Sequence, residues 1–187
     1  MADTCLSAID ELTASLRELR PLAQSVDEIA EVIAAALRAG NKVLACGNGG
    51  SAAAASHLTE ELVGRYKSGR RSLPAISLAA DAALITCIAN DFGYQWIFSR
   101  QIEGLAKRGD IVVAFSTSGN SPNLLKALEA AHAAGAISVA VLGKTGGAMA
   151  GRADHEVVVP SNSTARIQEM HTLILHSWLE RIEAEFL

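Results

Sequence analysis

Residues 111–142 read IVVAFSTSGNSPNLLKALEAAHAAGAISVAVL. Five apolar residues, mostly β-branched, run into Ser116-Thr117-Ser118-Gly119-Asn120-Ser121, and Pro122 then opens a segment rich in Ala and Leu. Gly135 closes that segment and a second apolar run follows at 137–142. A short apolar run, a hydroxyl-rich turn, a helical pattern and another apolar run make a βαβ unit with parallel strands. Working outward, similar runs stand at 42–46, 74–78 and 155–159, with helical segments at 51–66, 82–89, 96–106, 121–134 and 166–186. The pattern predicts an α/β fold: a three-layer αβα sandwich on a five-stranded parallel sheet, with a long C-terminal helix and a ligand crevice at the carboxyl ends of the strands.

Residues 1–40 add two more helical patterns. Cys5, Ile9, Leu12 and Leu16 recur at three or four residues, as do Ile29, Val32, Ile33 and Leu37. Pro21 separates them, Ser25 with Glu28 predicts a capping box for the second, and Gly40 predicts its end. This N-terminal segment is expected to pack on the rest, giving one domain over 1–187.

Composition narrows the function. Sixteen Lys and Arg against twenty Asp and Glu give a net charge of −4, so no basic surface exists to coat nucleic acid. Aromatic residues are 4% of the chain, which leaves few platforms for stacking bases. Gly47, Asn48, Gly49 and Gly50 interrupt the longest uncharged stretch, so no membrane span is expected. Asp3, Asp10 and Glu11 stand where a signal peptide needs a basic and then an apolar region, and Cys5, Cys46 and Cys87 form no C-x-x-C pair; a reducing cytoplasm is the expected setting.

Two loops are candidates for binding phosphate. In the first, Ser121 suits the N-cap and Pro122 the first helical position, so free N–H groups, the hydroxyls of Ser116, Thr117, Ser118 and Ser121, and the helix dipole converge without a lysine. A plain capped βα turn is the alternative. The second loop, Gly47-Asn48-Gly49-Gly50-Ser51-Ala52, resembles a dinucleotide fingerprint. The acidic residue expected about twenty positions on is absent, since that region reads Lys67-Ser68-Gly69-Arg70-Arg71. Neither Gly47 nor Gly143 begins a P-loop, so nucleotide hydrolysis has no support.

His57 and Glu61, four apart on a predicted helix, share a face at about 5–6 Å between Cβ atoms, whereas Glu60 is expected to point elsewhere. Such a pair suits a divalent metal or acid–base work, and equally a solvated helix contact. A second cluster, Gln168, Glu169, His171 and His176, lies on the terminal helix. His176 stands among Leu173, Ile174, Leu175 and Trp178, where a histidine needs a partner.

The segments Cys46–Ser51, His57–Tyr66, Asn90–Gly93, Ser116–Ser121 and Arg166–His171 occur in an order that resembles the sedoheptulose 7-phosphate (phosphoheptose) isomerases, of the sugar isomerase (SIS) fold, over nearly the whole chain. The resemblance implies an aldose–ketose isomerase that makes D-glycero-D-manno-heptose 7-phosphate for bacterial heptose and lipopolysaccharide synthesis. It implies a zinc ion held by His57, Glu61, Gln168 and His176, with Glu61 and His176 as the acid–base pair. It implies substrate contacts from Asn48, Gly49, Gly50, Ser51, Glu61, Asn90, Asp91, Ser116, Thr117, Ser118, Ser121 and Gln168, and a homotetramer with sites at subunit interfaces. One departure is Ala54, where many relatives carry Asp.

The chemistry agrees with that implication. Moving a carbonyl from C2 to C1 through a cis-enediol needs a proton taken from C1 and one given to C2, work suited to a carboxylate and a histidine. Gln168 and His176 are eight residues apart, about 12 Å along a straight helix, so one of them is expected from a neighbouring subunit, with the apolar faces of the terminal helix as the contact. A second reading is a non-catalytic tetramer of the same fold that binds the bacterial replication initiator, which the chain resembles at Ile167–His171 and Leu73–Ile76. That family is expected to lack the equivalent of Glu61 and to replace the equivalent of His176, both of which are present here. A sugar-phosphate-sensing regulator would need a DNA-binding domain for which 187 residues leave no room.

Overall fold

Both faces of the central sheet are covered, which is why its strands read as unbroken apolar runs rather than as alternating ones. The computed structural model describes residues 4–187. Strands β1 (Val43–Gly47), β2 (Ala75–Ser77), β3 (Ile111–Ser116), β4 (Ile137–Gly143) and β5 (His155–Val159) are all parallel, in the order β2-β1-β3-β4-β5. Helices α1 (Thr4–Leu19), α2 (Ala23–Arg38), α3 (Gly50–Val63), α4 (Ala82–Phe92), α5 (Ser99–Leu105), α6 (Pro122–Ala134) and α7 (Thr164–Ala184) complete the chain. The period of two divides the strands between two cores. Val43, Val113 and Val139 pack with α2, α3 and α7, while Leu44, Val112 and Ala140 pack with α4, α5 and α6. Strand order reverses between β1 and β3, so α3 and α6 leave the neighbouring strand ends toward opposite faces and a crevice opens between them.

Local chemistry sets the element ends. After α2, Gly40 at φ +85° accompanies bonds from its own N–H to Leu37 O and from Asn41 N–H to Ala36 O, the predicted glycine stop. The start of α2 differs from expectation. The chain passes from α1 through a 3-10 turn at Arg20–Leu22 directly into Ala23, so Leu22 stays helical at the cap and Ser25 lies inside the first turn, capping nothing. Helix α3 ends at Val63, before the expected Tyr66, because Gly64 breaks it.

The terminal helix also departs from the reading above. Ile167, Met170, Ile174, Trp178 and Ile182 of α7 are buried within the chain, and its exposed large apolar residue is Leu173. Other exposed large apolar residues include Ile9 and Leu16 of α1 and Leu84, Phe92 and Leu105 on α4 and α5. No helix among the described residues is long and apolar enough to cross a membrane.

Near its end α7 clamps the segment that follows α3. The buried Glu183 carboxylate accepts hydrogen bonds from the N–H groups of Tyr66, Lys67 and Ser68, and Arg70 Nε lies 3.6 Å from it. The Arg70 guanidinium in turn donates to Glu61 O and Leu62 O, at 2.7 and 2.9 Å. A buried charge pair of this kind survives only when its remaining hydrogen-bonding capacity is met, and here most of it is met by backbone.

The histidine buried in the core is His171 rather than His176. Its Nε2 faces Leu142 O at 3.2 Å and its ring lies 6.0 Å from that of Phe115, while Nδ1 has no partner. Burial pushes its pKa down to about 4, against a smaller opposing effect of the Leu142 carbonyl. The unfolded chain therefore takes up a proton near pH 6.5 that the native chain refuses until about 4, and stability falls as the pH drops through that window. The loss specific to this residue is up to about 3 kcal/mol. Urea unfolding of the protein and of His171→Leu at a series of pH values should show the stability difference between them changing by that amount between pH 6.5 and 4; a constant difference would contradict it.

Candidate active site

The hydroxyl-rich loop after β3 is folded on itself. Ser116 Oγ accepts from Gly119 N–H at 3.0 Å and Ser118 Oγ accepts from Asn120 N–H at 3.3 Å. Gly119 turns the chain at φ +64°, where a Cβ would lie 1.8 Å from Gly146 O, so no other residue fits. Ser121 is the N-cap and Pro122 the first residue of α6, as the spacing predicts, but the Ser121 hydroxyl does not cap the helix. It lines a small cavity with Asn48, Ser51, Ser116, Thr117 and Ser118. A cavity walled by neutral hydroxyls and amides at a helix N-terminus is suited to an anion.

The glycine loop after β1 forms the opposite wall. Gly49 has φ +56° and is the N-cap of α3. At Gly50 a Cβ would lie 2.3 Å from Gln168 Nε2, so this glycine admits α7 against the loop. The dinucleotide-like spacing thus serves a close approach between helix and loop, in accord with the missing acidic residue. Cys46, one residue earlier, is fully buried, and burial pushes its thiol up to about 12, which leaves no nucleophile there.

On the side of α3 that faces α7, His57 Nε2 lies 3.5 Å from Glu61 Oε1 and 3.4 Å from His176 Nε2. The two imidazole rings meet edge to face at 5.0 Å, and Tyr66 lies over His176 at 5.6 Å. Glu60 corrects an expectation: its carboxylate is 4.0 Å from His57 Nε2, because residues three apart share a helix face as residues four apart do. His57, Glu60 and Glu61 offer ligand atoms within 4.8 Å of one another. Two ring nitrogens converging beside carboxylate oxygens are a donor set that suits zinc.

Not every expected residue joins this cluster. Gln168 sits two turns before His176 on the continuous helix α7, with its amide at Gly50 rather than at His57. Asn90 and Asp91 are exposed on the last turn of α4, where Asn90 Nδ2 donates to Asp91 Oδ1 at 2.8 Å; Gly93, at φ +97°, follows, and Tyr94 lines the crevice. Ala54 packs at the edge of the core, so an apolar contact replaces the polar one expected there. The sequence reading set Glu60 aside and passed over Tyr66, Tyr94 and Asn123. Glu60 and Tyr66 both lay within the His57–Tyr66 segment already singled out.

Comparison with known proteins agrees with this geometry. Residues 9–143 match the model of the SIS domain. The chain is 49% identical over 174 residues to the phosphoheptose isomerase of Geobacter sp. (strain M21), covering 93% of this chain and 89% of that protein. Its fold superposes on the phosphoheptose isomerase structure from Francisella tularensis with a TM-score of 0.94 at 35% identity, covering 97% of each chain. The corresponding structure from Neisseria gonorrhoeae gives 0.92, also at 35% identity, over 97% of this chain and 98% of that one. A sheet with its switch point at a hydroxyl-lined crevice, flanked by a His–Glu–His cluster and matched over nearly its whole length, places the chain in the SIS domain family, among the phosphoheptose isomerases.

Proposed function

We propose that the chain converts D-sedoheptulose 7-phosphate to D-glycero-D-manno-heptose 7-phosphate, an aldose–ketose isomerisation at the start of heptose synthesis for surface glycans. The observation that carries the reading is the meeting of His57, Glu61 and His176 at 3.4–3.5 Å beside an anion cradle, with relatives of about half identity named for this activity. The cradle of Ser116, Thr117, Ser118 and Ser121, with Asn48 in its wall, binds the phosphate through hydroxyl, amide and helix-terminal donors, and Gly49, Gly50 and Ser51 line the path of the sugar. Glu61 takes the proton from C1, and His176 delivers one to C2 as the cis-enediol collapses. His57 holds the Glu61 carboxylate in place, and Tyr66 shields His176 from bulk water. The initiator-binding alternative is not favoured, because the acid–base residues that it would lack are here brought together.

His57, Glu61 and His176 would hold a zinc ion, which when bound supplies a Lewis acid for the sugar carbonyl and its enediolate. Gln168 is the fourth ligand implied by resemblance. With His176 already against His57 in the same chain, we assign Gln168 to the cluster of a neighbouring subunit in a homotetramer, while its amide closes the Gly50 loop of its own chain. The exposed apolar residues Ile9 and Leu16 of α1 and Leu173 of α7 supply surface for that assembly.

Glu61→Gln should lower the conversion by about 10²–10⁴-fold while leaving the unfolding transition in place. Retention of more than about a tenth of the activity would remove Glu61 as the base. Chelation should strip activity together with a near-stoichiometric metal found by elemental analysis, and zinc should restore it; full turnover by metal-free protein would end the metal assignment. In mixed oligomers, Glu61→Gln chains combined with Gln168→Ala chains should recover roughly a quarter of the sites, since random mixing pairs an intact Glu61 with an intact neighbouring Gln168 that often. Glu61→Gln combined with His176→Asn should recover none.

A further inference from the structure

Asn48 is held by two residues that the proposed mechanism does not use. Its Nδ2 donates to Asn123 Oδ1 at 3.0 Å, Asn123 Nδ2 donates back to its Oδ1 at 2.8 Å, and the Tyr94 hydroxyl donates to the same Oδ1 at 2.9 Å. The three residues come from the end of β1, the first turn of α6 and the connection after α4, so the network crosses the crevice at the switch point. Asn123 is 1% exposed, and an amide so buried needs partners. Asn48 itself divides two cavities, one the anion cradle with Ser116–Ser118 and Ser121, the other lined by Gly93, Tyr94, Gln95 and Pro122.

Counting donors and acceptors shows what the network accomplishes. The Asn48 carbonyl oxygen has two lone pairs and receives two donors, so it is saturated. Its amide nitrogen has two hydrogens, one of which goes to Asn123, leaving one N–H on a residue that lines the cradle. Turning the Asn48 amide over alone would set N–H against N–H and oxygen against oxygen in the reciprocal pair, and turning both amides together would restore the pair but present a carbonyl oxygen to the anion, so a bound phosphate selects the orientation with N–H toward it. We propose that Asn123 and Tyr94 are positioning residues that lock the Asn48 amide so that its free N–H faces the bound phosphate ester. The inference rests on the cradle being the phosphate site of the isomerase reading above.

An interaction made equally in ground and transition states raises KM when lost and spares kcat, whereas general damage to the fold lowers the active fraction and spares KM. Asn123→Ala and Tyr94→Phe should each raise KM for sedoheptulose 7-phosphate by about 3- to 10-fold with kcat within about 2-fold, and weaken calorimetric binding of inorganic phosphate by a similar factor. In an Asn48→Ala background, Asn123→Ala should add nothing, because it acts through the amide already removed. Tyr94 is exposed, so Tyr94→Phe reports even if Asn123→Ala fails to fold. Unchanged KM and phosphate affinity in Tyr94→Phe, a loss confined to kcat, additive effects in the double variant, or no phosphate binding by the unmodified protein would each overturn the inference. Failure of the unmodified protein to convert the heptulose phosphate would overturn the isomerase reading alone, since phosphate binding by the same variants still decides this one.

Discussion

The site depends on how closely α7 approaches the carboxyl edge of the sheet. At Gly143 a Cβ would lie 2.6 Å from Ile167 Cδ1 and 2.8 Å from Thr117 O, and at Gly50 it would meet the Gln168 amide. Gly143 at the end of β4 thus gives α7 its close seat on the sheet, and Gly50 at the start of α3 leaves room for the Gln168 amide. Interiors are packed too densely for the helix to stand off by a methyl group without opening a void elsewhere. From that seat α7 delivers Gln168 to the glycine loop, His171 to the core and His176 to α3. Trp178 fixes the far half, its indole N–H donating to Val26 O at 3.0 Å.

The cradle proposed for the phosphate would let an acidic protein hold a dianion without a cationic side chain. It relies on hydroxyls, amides and a helix terminus, which carry partial charges fixed by the fold and need no counter-ion of their own. Formal charge is used elsewhere for structure. At the opposite end of β3, burial alone would raise Asp110, but the Lys42 ammonium and the N–H groups of Lys42 and Lys107 outweigh it and hold the carboxyl below its usual range. That ionised cluster ties the starts of β1 and β3 together, and with them the register that brings Gly47 beside Phe115 at the other end.

Most of the fold was legible because the strands are buried on both faces and the helices end at glycines, two signals that are local. All five strands lie within a residue or two of the apolar runs, and Gly40 and Gly135 stop the helices that they follow. The start of α2 was misread because Ser25 and Glu28 have the right spacing, while the competing 3-10 turn at Pro21 leaves no signature beyond the proline. At the site, motif order named the candidate residues but not their grouping. That His171 is the core histidine and His176 the half-buried one against α3 follows from the angular position of each on α7 relative to β4 and α3, which is a tertiary fact. Asn123 read as an ordinary residue of a helix first turn, since its partner stands 75 positions away.

The clamp of Glu183 on residues 66–70 and the contact of His176 with His57 both join the last helix to a segment made far earlier. Some 119 residues separate the two histidines. At a synthesis rate of about 5–20 residues per second, the ribosome spends roughly 6–24 s between adding the first and the second. For that interval the emerging chain carries His57 and Glu61 on a helix with no imidazole facing them and with the loop beyond it unbolted. The proposed acid–base pair of Glu61 and His176 is therefore not assembled until α7 has been made.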